Sequence, residues 1–242
     1  MKLYREQGVV LRTYKLGEAD RIVVLLTQGE GKVRAVAKGV RKTKSRFGGR
    51  LEPFSHVDLS LYRGRELDIV TQVEVVDPFR SLRGDYDRVV AGTAVLEAVD
   101  QVAQEREAAV RVFLLLVRAL RALDGGPPDP AAVLDAFLLK LMALEGYRPV
   151  LAECAGCGKR TELRAFSAVR GGALCASCRS GGEALLDPGT LPLLAHLLGG
   201  DMDQAAATEA RLATRREAAN VVKSYVEYHL DRRLRSYPLV NR

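Results

Sequence analysis

The chain has 242 residues, 48% hydrophobic and 28% charged, so it can bury a core and is not a disordered polymer. Its net charge of +7 is uneven: residues 1–50 carry 13 Lys/Arg against 4 Asp/Glu, and the remaining 192 carry 24 against 26. A field confined to the N-terminal part favours a polyanionic partner. A membrane span is excluded, because the longest uninterrupted apolar run, VFLLLV at 112–117, falls far short of the roughly 20 residues required. The start, MKLYREQG, has no apolar signal-peptide region, and the cytoplasm is the expected location.

The first 80 residues read as strands and turns. GVVLRTY (8–14), RIVVLLT (21–27), KVRAVAK (32–38), FSHVDLSLY (54–62) and LDIVTQVEVV (67–76) are rich in β-branched and aromatic residues, and several alternate. LGEAD, QGEG and the glycine of RGRE supply turn chemistry. Five short strands with one long loop after the third fit a small closed barrel of the oligonucleotide-binding (OB) type, with a small open sheet as the alternative. QGEGKVR is not a dinucleotide fingerprint: Arg34 stands where the third glycine belongs, and a strand follows instead of a helix.

The long loop, KGVRKTKSRFGGR at 38–50, holds Lys38, Arg41, Lys42, Lys44, Arg46 and Arg50 with no acidic residue. A solvated surface loop and a phosphate-tracking arm are both consistent with that composition. Its position beside a barrel favours the arm, with Arg34 on the strand leading in. Phe47 stacks on a base or anchors the loop.

After Asp77-Pro78 the period becomes helical, giving an α+β, multidomain chain: a barrel over 1–80 and a helical domain over 81–242. Helices are expected at 85–103 and 107–123. Another starts at Asp129-Pro130 and ends before Gly146, a short one starts at Asp187-Pro188, and a long last one covers 207–237. Arg118 and Arg121 lie along the second of these helices. Arg211, Arg215 and Arg216 cluster on the last, and Arg232, Arg233 and Arg235 near its end.

Cys154, Cys157, Cys175 and Cys178 form C-x2-C-x17-C-x2-C inside an insertion at about 150–184. Two tight knuckles can close an S4 shell around one structural Zn2+, as in a zinc ribbon, with redox pairs or an iron–sulfur cluster as alternatives. Four thiolates leave no open position on a metal for catalysis. His56, His196 and His229 have no triad or metal-site neighbours, so no catalytic residue is assigned and a non-enzyme is expected.

In this order the features resemble the RecO family of bacterial recombination mediators. The opening carries Gly17, Glu18 and Asp20 in a turn, then Lys38, Gly39 and Arg41 in a K-G-x-R segment. The resemblance covers the whole chain, although some members lack the cysteines. It implies a non-enzymatic, nucleoid-associated DNA repair protein that binds single- and double-stranded DNA and anneals complementary strands. It further implies partnership with RecR and loading of recombinase on strands coated with single-stranded DNA-binding protein. The acidic, apolar C-terminal tail of that coating protein is expected on the helical domain, with Arg118 and Arg121 as candidates. Arg211, Arg215 and Arg216 are candidates for a secondary DNA contact. A zinc-containing RNA-binding or translation-associated factor and a protein scaffold are the competing readings, which sugar preference and salt-dependent binding separate.

Overall fold

The computed structural model describes residues 2–43, 45 and 47–240. Five strands close into a barrel: β1 (Leu3–Leu16), β2 (Asp20–Thr27), β3 (Gly31–Ala37), β4 (His56–Tyr62) and β5 (Asp68–Asp77), in the order β1-β2-β3-β5-β4. β1 pairs with β2 on one side and β4 on the other, and its register shifts between Val10 and Arg12. Such a shift adds twist, which lets one strand serve two neighbours around a closed wall. β3 and β5 meet in parallel. The closed barrel, not the open sheet, is therefore the observed form.

β2 has no clean alternation because both of its faces are buried. Val23 and Leu25 point into the barrel with Val10, Leu59, Leu61 and Val70. Val24 and Leu26, with Val9 and Leu11 of β1, join the core of the helical part. Phe47 and Leu51, from the loop and its short 3-10 helix (Gly48–Leu51), plug the barrel and are each 1% exposed. Phe47 thus anchors the loop and is closed to a base.

The helical part comprises α1 (Arg80–Arg83), α2 (Tyr86–Val102), α3 (Val110–Asp124), α4 (Pro130–Leu144), α5 (Thr190–Gly199), α6 (Met202–Ala207) and α7 (Leu212–Leu230). The Asp85 side chain caps α2 through the Arg88 N–H, and Asp129 caps α4 through the Ala132 N–H, with Pro130 in the first turn. Gly146 follows α4 with φ +92, the left-handed C′ position that glycine adopts without strain. α4 is apolar nearly all round and sits at the centre of the helices. Two expectations are corrected. The short helix starts at Thr190 instead of Pro188. The long last helix is interrupted at 208–211 and ends at Leu230, where Asp231 turns left-handed at φ 50. The chain then folds back, burying Leu234 and Tyr237.

A short connection couples the two parts. The 103–109 segment lies along β3: the Lys32 N–H donates to the Gln104 carbonyl, and the Arg106 N–H donates to the Lys32 carbonyl. Gly31, at φ +65, faces Glu107 so closely that a Cβ would lie 1.8 Å from its carbonyl oxygen. Arg106 reaches Asp68, which is fully buried, at 2.7 Å, and the Tyr4 hydroxyl and Gly64 N–H also donate to that carboxylate. Burial alone would raise the Asp68 carboxyl, but hydrogen bonds from Arg106, Tyr4 and Gly64 outweigh it and hold the group below the usual range. Tyr4 is pushed up to about 12, first by burial and then by its bond to Asp68.

Candidate nucleic-acid interface and metal centre

The open part of the barrel wall is built by strand register. Tyr14 pairs with Ile22 and Ile22 with Val36. One rung along, Arg12 pairs with Val24 and Val24 with Arg34. Paired residues share a face, so an aromatic–aliphatic rung lies next to a rung bounded by two arginines. Tyr14 is 42% exposed, and Arg12 stacks over its ring at 4.9 Å. Arg12, Tyr14, Ile22, Lys32 and Arg34 line a groove of about 390 Å³. An exposed ring among cations is what a single strand requires, with stacking for bases and charge for phosphates.

The cationic loop leaves β3 at the end of this wall. Gly39, at φ +69, donates its N–H to the Asp20 carboxylate at 2.7 Å. The Arg41 N–H donates to the Ala19 carbonyl at 2.9 Å, and its guanidinium donates to the Gly17 carbonyl at 3.1 Å. Gly17 also has a positive φ, at +56. The two motif segments therefore form one unit, in which the β1–β2 turn grips the root of the loop. Lys38, Arg41 and Lys42 are exposed on this root, and Arg50 is exposed on the 3-10 helix. Lys44 and Arg46 lie outside the described residues. Arg34 sits 3.9 Å from Glu105 and stays largely open.

Arg211 and Arg215 do not join this face. Arg211 pairs with Asp187 before α5, and Arg215 pairs with the α4 cap Asp129 while also donating to the Thr208 carbonyl. Arg216 is exposed beside them on α7. Arg232, Arg233 and Arg235 lie elsewhere, across a cleft from Arg12 and Lys32.

On the helical part, Arg111, Leu114, Leu115, Arg118, Lys140 and Arg148 border a groove of about 370 Å³. Leu114 is 46% exposed there. Burial lowers the Lys140 ammonium pKa, and its Nζ donates to the Leu198 carbonyl at 2.7 Å. Arg118 belongs to this rim. Arg121 is exposed and does not line this groove; the His56 imidazole is held below its usual value first by burial and then by the Arg121 charge.

The four cysteines converge. Their Sγ atoms lie within 4.8 Å of one another, with Cys157 and Cys175 at 3.8 Å. A tetrahedral S4 shell at ~2.3 Å per bond needs sulfurs about 3.8 Å apart, so the set fits a metal such as zinc. β6 (Leu163–Ser167) and β7 (Gly172–Cys175) form the hairpin that delivers Cys175. Gly158, at φ +75, completes the first knuckle by donating to the Cys154 carbonyl. The Cys175 N–H donates to the Cys154 sulfur and helps hold that thiol down to about 6. Cys178 faces the other three sulfurs and is pushed up to about 12, led by its contact with Cys157. Four crowded sulfurs cannot all ionise without a cation among them.

Sequence reasoning nominated the loop cations but missed Arg12 and Tyr14. Their signal was present in GVVLRTY, where i and i+2 share a face. Among the described residues, no helix is long and apolar enough to cross a membrane.

The family model described as recombination protein O N terminal matches residues 1–79, and the one described as recombination protein O C terminal matches 83–238. The DNA repair protein RecO of Nocardioides sp. is 51% identical over 248 residues, covering 99% of this chain and 100% of that protein. Those of Thermobifida fusca and Streptomyces coelicolor are each 48% identical, over 244 and 250 residues, with both chains covered in full. The barrel with its gripped cationic loop, the helical part and both family models agree: the chain belongs to the RecO family of DNA repair proteins.

Proposed function

We propose that this chain is a non-catalytic recombination mediator that binds single- and double-stranded DNA, anneals complementary strands and helps load recombinase on strands coated with single-stranded DNA-binding protein. The observation that carries this reading is the Tyr14–Ile22–Val36 rung beside Arg12 and Arg34, at the foot of a cationic loop whose root, Gly39 and Arg41, is held by the β1–β2 turn. Lys38, Arg41, Lys42, Lys44, Arg46 and Arg50 track phosphates without reading bases, and Arg34 extends that track onto the wall. The chain acts in the bacterial cytoplasm at the nucleoid.

Two partners follow from the same reading. The acidic, apolar C-terminal tail of single-stranded DNA-binding protein suits the α3–α4 groove, where Leu114 and Leu115 offer apolar contact and Arg111, Arg118, Lys140 and Arg148 face carboxylates. Arg118, on the groove's rim, has this role, and Arg121, which does not line the groove, does not. RecR is the second partner. The four cysteines hold one structural Zn2+, which fixes the hairpin and supplies no open coordination position.

Annealing of complementary oligonucleotides coated with single-stranded DNA-binding protein, with and without the chain, tests the function. Faster annealing with the chain, lost when Lys38, Arg41 and Lys42 are replaced by alanine, is the expected result. No acceleration, or a preference for RNA over DNA of the same sequence, contradicts it.

A further inference from the structure

We infer that the cleft between the barrel and the C-terminal segment is a second binding site for the sugar-phosphate backbone of a DNA strand. The inference rests on the DNA-binding reading above and deepens it, since annealing requires two strands on one protein.

The cleft measures about 1090 Å³, and its walls include Arg12 and Lys32 of the barrel and Arg232, Arg233 and Arg235 of the segment after α7. The left-handed turn at Asp231 sends the chain back over α2 in place of a continued helix. Leu234 is buried at 1% exposure, while Arg233 and Arg235 on either side of it are exposed. Arg232, Arg233 and Arg235 are all exposed, and the buried Leu234 holds this stretch of chain against the molecule.

The acids in the cleft are engaged in holding it. Glu97 accepts the backbone N–H groups of Arg235 and Ser236 at 2.8 and 2.9 Å. Asp100 faces Arg12 at 2.9 Å and Lys32 at 3.5 Å. Gln101 donates to the Arg233 carbonyl at 3.4 Å. The α2 face therefore fixes the segment by its backbone and leaves its guanidinium groups open. Among the described residues, none of Arg232, Arg233 and Arg235 forms an ion pair. Three cations without ion pairs, on a segment held by its backbone, face Arg12 and Lys32, which share Asp100, and together the five outnumber the acids of the cleft and form an anion track. Among the described residues lining the cleft, the aromatic one, Phe54, is only 6% exposed, so the track suits phosphates and not bases. Arg12 and Lys32 also line the barrel groove, so two strands would run side by side with their phosphates screened by shared cations.

The test uses the full chain and oligothymidylate of about 8 nucleotides, short enough to occupy one OB-type site only. At low salt, fluorescence titration of the wild-type chain should show two strands bound per chain. The triple variant R232A/R233A/R235A should bind one strand with first-strand affinity within about twofold, and should anneal complementary strands at least tenfold more slowly. In the wild type the three arginines should contribute about 2 to the salt slope of the second binding event, from roughly 0.7 per phosphate contact. A thermal melt matching the wild type excludes misfolding, and R232K/R233K/R235K should restore binding. One strand per wild-type chain, or unchanged stoichiometry and annealing in the alanine variant, overturns the second site. Equal loss of both binding events overturns it as well, by making the cleft part of one continuous site. Failure of the wild type to bind any oligonucleotide sinks the DNA-binding reading itself, which the other outcomes leave standing.

Discussion

The Asp20 carboxylate accepts the Gly39 N–H at 2.7 Å, tying the β1–β2 turn to the first residues of the cationic loop. Asp20→Ala should therefore weaken DNA binding severalfold with every cation still present. It should also cost about 1–2 kcal/mol of stability through the lost charge-assisted bond. Hydrogen exchange at the Gly39 and Arg41 amides is the direct check. Unchanged protection at both would show that the turn does not hold the loop.

Tyr14 is expected to stack on a base. Tyr14→Ala should weaken binding to a single strand by about 1–3 kcal/mol, roughly fivefold to 150-fold, and Tyr14→Phe should retain affinity. Equal affinities for wild type and Tyr14→Ala would leave the barrel wall with a purely electrostatic role.

How far these features were legible beforehand depended on sequence distance. The five strands and the paired cysteine knuckles are local patterns and are found close to where their spacing put them, except that β1 begins at Leu3, five residues before the expected GVVLRTY stretch. The end of the last helix was not legible, because VEYHLDRRLRSY keeps a helical period, while the turn is made by Asp231, which tolerates a left-handed conformation, and is followed by the burial of Leu234 and Tyr237 far along the chain from their neighbours. Arg211 and Arg215 looked like open charge because Asp187 and Asp129 are 24 and 86 positions away. Phe47 stood among cations and glycines, and only barrel closure showed that its ring fills the interior. Tyr14 was hidden for the opposite reason: its exposure follows from which stretch of the β1–β2 wall the helices leave uncovered.

The sulfur cluster should carry about one zinc per chain by elemental analysis. Cys178→Ser or removal of the metal should loosen the β6–β7 hairpin, because metal binding and folding of the segment are one equilibrium. Binding of a single strand to the barrel should persist. Iron with sulfide in the purified protein, or a fully reduced sample with no metal, would contradict the assignment.

The Asp68–Arg106 contact should make the coupling of barrel and helices acid-sensitive. Because the folded Asp68 carboxyl lies below its unfolded value, its contribution is complete above about pH 4 and is lost as pH falls through the folded value. Arg106→Ala leaves a buried carboxylate unpaired and should cost about 3 kcal/mol at neutral pH. Asp68→Asn should flatten the acid limb of the stability curve. An acid limb identical to that of the wild type would remove Asp68 from this role.

The most direct measurement is the salt dependence of single-strand affinity in the wild type and in a variant with Lys38, Arg41, Lys42 and Lys44 replaced by alanine. If all six loop cations neutralise phosphates, log K should fall with log salt at a slope of roughly −4. In the variant, affinity should drop and the slope should flatten by about 2 or more, with sequence preference unchanged. Affinity and slope that both survive the substitution would mean that the loop is only solvated charge and that DNA is held elsewhere.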